Sequence, residues 1–87
     1  MEISVKVSYR NDKLQAARTK KNMSQSQLAK ASGISVRVLQ EYERGARDIS
    51  GAKLATLLKL CKALECGLRD IITDTETIAL LNEYEGD

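Results

Sequence analysis

The chain has 87 residues, a net charge of +2, 43% hydrophobic and 30% charged residues, and no Pro, Phe, Trp or His. That is enough for one small folded domain with a core of Leu, Ile, Val and Ala. It excludes a histidine-based catalytic or metal site, and no apolar run is long enough to span a membrane.

Charge is unevenly spread. From Lys13 to Ile49 there are eight basic and three acidic residues, a local charge of +5, whereas from Glu65 to Asp87 there are seven acidic and one basic, −6. A basic centre and an acidic tail point to different partners, or to solvated helix faces. The N-terminus lacks a charged-then-apolar leader pattern, so a cytoplasmic location is expected.

Residues 2–10 alternate, with Ile3, Val5, Val7 and Tyr9 on one side and Ser4, Lys6, Ser8 and Arg10 on the other. This is the period of a half-buried strand. A lone strand needs a partner, either a second subunit or another protein's sheet edge; otherwise the segment is a mobile arm. The first helix starts at a cap, Asn11 or Asp12, and runs through Leu14, Ala17 and Arg18 to about Lys21, with Asn22 ending it and Met23 plugging the core. Ser24 and Gln27 form a capping box for a second helix, Gln25–Ser32. Gly33 supplies a left-handed stop, Ile34 returns to the core, and Ser35 caps a third helix over 36–44, on which Val38, Leu39 and Tyr42 make one apolar face. Gly45 ends it.

The connection Asp48-Ile49-Ser50-Gly51-Ala52-Lys53 leads into a fourth helix starting at Asp48 or Ser50. Its expected apolar stripe is Leu54, Leu57, Leu58, Cys61 and Leu64. Gly67 separates it from a short fifth helix with Leu68, Ile71 and Ile72 facing inward. Thr73 and Glu76 offer a capping box for a sixth helix with Ile78, Leu81 and Tyr84 on one stripe, packed on its own domain or on a partner. Cys61 and Cys66 read as two reduced thiols rather than a disulfide.

Ser24-Gln25-x-x-Leu28-Ala29, Gly33-Ile34-Ser35, Leu39 and Tyr42-Glu43-Arg44-Gly45 together resemble the lambda-repressor-like (Cro or XRE type) helix-turn-helix family, over a span from about Leu14 to Ile72. The resemblance implies an all-α, five-helix DNA-binding domain over residues 11–73. The N-terminal strand or arm (1–10) and a C-terminal helix and tail (74–87) flank it. Members commonly carry a Pro and a shorter path after the third helix. Here the connection is about three residues longer, which is read as one added turn at the start of the fourth helix.

The function the resemblance implies is sequence-specific recognition of double-stranded DNA by a transcriptional regulator, a repressor, with the third helix in the major groove. Val36 and Arg37 fall at first-turn reading positions, Glu41 one turn further, and Gln40 to the side. Arg37 suits two guanine acceptors, Val36 a thymine methyl, and Glu41 a cytosine amino group. Gln25 and Ser35, at helix N-termini, and Arg44 and Arg47, beyond the reading helix, are expected at phosphates. The family often pairs an Arg of the first helix with a Glu of the third, here Arg18 and Glu43. The region after the fifth helix commonly dimerises, so a homodimer through the strand face or the stripe of Ile78, Leu81 and Tyr84 is expected. The alternative is an antitoxin or accessory subunit that binds a partner protein through residues 2–10 or 74–87. No nucleophile, phosphate loop, cofactor motif or zinc ligand set is present, so neither an enzyme nor a metal or cofactor is expected.

Overall fold

The computed structural model describes residue 9 and residues 11–86. Five α-helices, α1 (Asp12–Lys20), α2 (Gln25–Ser32), α3 (Val36–Glu43), α4 (Leu54–Leu64) and α5 (Thr75–Glu85), are joined with single 3-10 turns at Ile49–Gly51 and Leu68–Asp70. No strand occurs among the described residues, and the expected N-terminal strand lies almost wholly outside them. Tyr9 is described, and its N–H donates to the Gly45 carbonyl at 3.0 Å.

Local sequence sets the helix ends. The Ser24 hydroxyl accepts from Gln27 N, and the Gln27 side chain accepts from Ser24 N, so two orphan donors are satisfied reciprocally. Gly33 stops α2 at φ +76°. A Cβ there would meet nothing within 4 Å, so the requirement is for the left-handed backbone and not for space. Ile34 N then reaches back to Ala29 O at 3.1 Å, closing a Schellman turn. Ser35 caps α3 through Val38 N, and Asn22 ends the α1 connection in left-handed geometry, φ 57°.

The core is one cluster. Leu14 of α1, Leu28 and Ala29 of α2, Leu39 and Tyr42 of α3, and Leu57, Leu60, Cys61 and Leu64 of α4 enclose it, with Ile49, Ile71 and Ile72 from the connections. α2 packs on both α3 and α4. The burial of Leu and Ile in this core is the main favourable term holding these short helices, none of which would persist alone in water.

The fourth helix starts at Leu54, not at Asp48 or Ser50. The Asp48 carboxylate accepts from Ser50 N at 3.1 Å and closes a separate turn. Ala52 and Lys53 then run extended before α4 begins. That start turns Leu57, Leu60, Cys61 and Leu64 inward and leaves Leu54 and Leu58 outside, 61% and 51% exposed. The short fifth helix is only a 3-10 turn. The last helix is capped by Asp74, which accepts from Thr77 N, and not by Thr73. Asn11 occupies the first cap position without capping; its side chain is used elsewhere.

Cys61 and Cys66 are free thiols. They sit on the Schellman turn ending α4, where Cys66 N donates to Cys61 O at 3.0 Å and Glu65 takes φ 54°. Burial, with the adjacent Cys66, pushes the Cys61 thiol up to about 11.

Candidate nucleic-acid interface

α3 has a clean division of faces. Leu39 and Tyr42 are buried and Val38 half-buried, while Val36, Arg37 and Gln40 are exposed. Arg37, in the first turn, is open to solvent, its side chain 88% exposed. Val36 beside it offers an apolar surface.

Glu41 is placed differently from the other candidates. It is half-buried, and its carboxylate accepts from Arg47 Nε, with Arg37 Nε at 3.8 Å on the other side. The hydrogen bond from Arg47 holds the Glu41 carboxyl below the usual carboxylate range and raises Arg47 in turn. The backbone supports this clamp, because Ala46 N and Arg47 N both donate to Glu41 O, at 2.8 and 3.3 Å. Two candidate DNA-contacting residues, one for a base and one for a phosphate, are therefore each other's partners in the free protein.

A second network lies beneath the turn. Arg18 of α1 donates from Nε and Nη2 to the two oxygens of Glu43, at 2.6 and 2.9 Å, and from Nη1 to Met23 O at 2.8 Å. Gln25, at the start of α2, donates to Glu43 Oε1 at 3.0 Å and accepts from Gln40 Nε2 at 3.4 Å. The chain Arg18–Glu43–Gln25–Gln40 thus links α1, α2 and α3 and fixes the angle between the two helices of the motif. The Gln25 side chain, read from sequence only as a phosphate neighbour, is engaged inside the protein. Its backbone N–H still lies in the first turn of α2, the end of a helix that favours an anion. Ser35 sits likewise at the N-terminus of α3, and Arg44 is exposed just past its end.

Asn11 is the residue sequence reasoning missed. It is buried, and its Nδ2 donates to Tyr42 O at 2.7 Å and Arg47 O at 2.6 Å, while its Oδ1 accepts from Ile49 N at 3.3 Å. It holds the loop that carries Arg44 and Arg47. Nothing in the local sequence separates this use from helix capping, because Asn is common to both. Lys13, in the first turn of α1, acts similarly on another connection, donating to Arg69 O and Ile72 O, each at 3.1 Å.

Among the described residues, no group of His, Cys, Asp and Glu could hold a metal, and no helix is long and apolar enough to cross a membrane. A helix-turn-helix family model of the Cro/C1 type matches residues 14–71. The structure is similar to that of the restriction-modification controller protein C.AhdI from Aeromonas hydrophila. They share 35% identity at a TM-score of 0.62, over 69% of this chain and 86% of that one. It is also similar to the clp gene regulator ClgR from C. glutamicum, with 30% identity and a TM-score of 0.60, over 69% of this chain and 74% of that one. No curated protein matches the sequence.

Proposed function

This chain belongs to the helix-turn-helix family of the Cro/C1 type, and from that premise we propose that it is a transcriptional regulator, a repressor, that binds double-stranded DNA as a homodimer. The names of its structural neighbours, a controller protein and a gene regulator, support a regulatory role. α3 would enter the major groove with its first turn at the base edges.

The observation that carries this reading is Arg37. It stands at the start of α3, opposite the buried Leu39 and Tyr42, with 88% of its side chain open to solvent. A guanidinium so placed can donate two parallel hydrogen bonds to a guanine edge. Val36 would lie against a thymine methyl, and Gln40, aligned by Gln25, would meet the next base. Ser35 and Gln25 would direct backbone N–H groups at phosphates, joined by Arg44. Arg47 would reach a phosphate by exchanging the Glu41 carboxylate for it, which frees Glu41 to face a cytosine amino group.

One such motif makes few base contacts, so two copies on two half-sites supply the specificity. Repression follows where the operator overlaps sites needed by polymerase. An antitoxin or accessory subunit would bind the same DNA but carry a different protein on its acidic C-terminal helix.

Selection of bound duplexes from a random library tests the reading. The expected result is an inverted repeat with half-sites about 34–36 Å apart, one turn of DNA. Unselective binding, or binding that does not weaken with salt, would count against it.

A further inference from the structure

α5 lies outside the family match, which ends at residue 71, and none of its residues is fully buried. It is nevertheless held in place. Arg69 donates to Asn82 Oδ1 at 2.7 Å and pairs with Glu85, Asp74 N reaches Ser50 Oγ at 3.3 Å, and Ile78 packs on the core. Of the expected stripe, Ile78 thus faces its own domain and Leu81 is half-buried, whereas Tyr84 is exposed. The outer row is Glu76, Leu80 and Tyr84, four residues apart. Leu80 is 59% and Tyr84 90% exposed.

α4 presents a matching row. Leu54, Leu58 and Lys62 follow at the same four-residue spacing, all exposed, with Lys59 alongside. We infer that this α4 row is the docking surface for α5 of a second copy of the chain, laid antiparallel so that Leu54 meets Tyr84, Leu58 meets Leu80, and Lys62 meets Glu76. Spacings of four place each row on one helix face. In this register both apolar pairs are buried together, and the rim pair is of opposite charge.

The charges also decide against the simpler arrangement. α5 carries Glu76, Glu83 and Glu85 and no basic residue, so packing two α5 helices on each other would gather like charges. α4 carries Lys59 and Lys62 and no acidic residue. A two-fold axis relating the two copies would use each row once per subunit and close the assembly.

This inference rests on the proposal that two copies associate, but not on DNA binding. The test is sedimentation equilibrium of the full chain and of single and paired variants, with thermal melts confirming that each is folded. Leu58→Asp and Leu80→Asp should each raise the dimer dissociation constant at least about tenfold. Lys62→Glu and Glu76→Lys should each weaken the dimer, since each acts twice across the axis, and the two combined in one chain should recover most of the loss. A dimer unaffected by Leu58→Asp and Leu80→Asp, or a combined charge reversal no tighter than its parents, would overturn the α4–α5 contact and leave the dimer itself standing. A wild-type chain that stays monomeric at every concentration would instead refute association and this contact with it.

Discussion

Arg18 and Glu43 meet as a two-pronged pair between α1 and α3, with Nε–Oε2 at 2.6 Å and Nη2–Oε1 at 2.9 Å. Their side chains are 11% and 5% exposed. A pair this well covered gains little over an apolar contact, because desolvation opposes the attraction, but losing one partner strands the other. The hydrogen bond from Arg18 to Glu43 raises the guanidinium above its ordinary value. Glu43→Ala would leave Arg18 with only Met23 O and Gln25 without its acceptor. The expected loss is about 3–5 kcal/mol of unfolding free energy, measured by urea denaturation. An unchanged midpoint would mean the pair carries no structural load.

Asn11→Ala removes three hydrogen bonds from a buried site. At about 1 kcal/mol each, with further loss from carbonyls left unsatisfied, it should destabilise by about 3 kcal/mol. Because two of these bonds hold Arg47 O and Ile49 N, amide exchange should rise first in the loop after α3. A loss spread evenly over the chain would show that Asn11 does not anchor the loop.

Glu41→Gln removes the counter-charge from Arg47 and from Arg37. Two guanidinium groups then become more available to phosphates. Affinity for non-operator duplex should rise several-fold and its salt dependence steepen, while discrimination between sequences falls. Titration of random-sequence duplex at two salt concentrations reads this. Weaker binding to that duplex would argue that Glu41 does not restrain the two arginines.

Much of this fold is legible in the sequence because its signals are local. Ser24 with Gln27, Gly33 and Ser35 each act within four residues, and the structure uses each as the sequence implies. The connection after α3 was less legible. Asp48 closes its own turn and Ala52 and Lys53 run extended, so the extra residues do not lengthen α4, and the inward face rotates from Leu54 and Leu58 to Leu60. Of the candidate site, the exposure of Arg37 follows from helical spacing against Leu39 and Tyr42. The Glu41–Arg47 clamp and the roles of Asn11 and Gln25 do not, because they depend on where a loop or a neighbouring helix returns in space.

Asp74 gives α5 a pH dependence. Hydrogen bonds from the Thr77 hydroxyl and N–H hold its carboxyl below the ordinary value. A depressed carboxylate contributes stability that is present above its unfolded value, about pH 4, and is lost as pH falls through the lowered folded value. Helix signal from α5 should therefore decline in acid. Asp74→Asn keeps a competent cap but cannot titrate, so its acid profile should be flatter than that of wild type. Identical profiles would assign the acid loss to other groups.

In the proposed complex α3 reads bases through Arg37 while Arg44, beyond the end of the helix, anchors. The most direct measurement is the affinity of wild type, Arg37→Ala and Arg44→Ala for the selected operator and every single-base variant of it, at two salt concentrations. Arg37→Ala should lose about 1–3 kcal/mol on the best site and lose preference at one base-pair position of each half-site. Arg44→Ala should weaken all variants about equally and lower the salt slope by roughly one phosphate's share per subunit. Equal losses on every variant for Arg37→Ala, with preference intact at all positions, would contradict base reading by this residue.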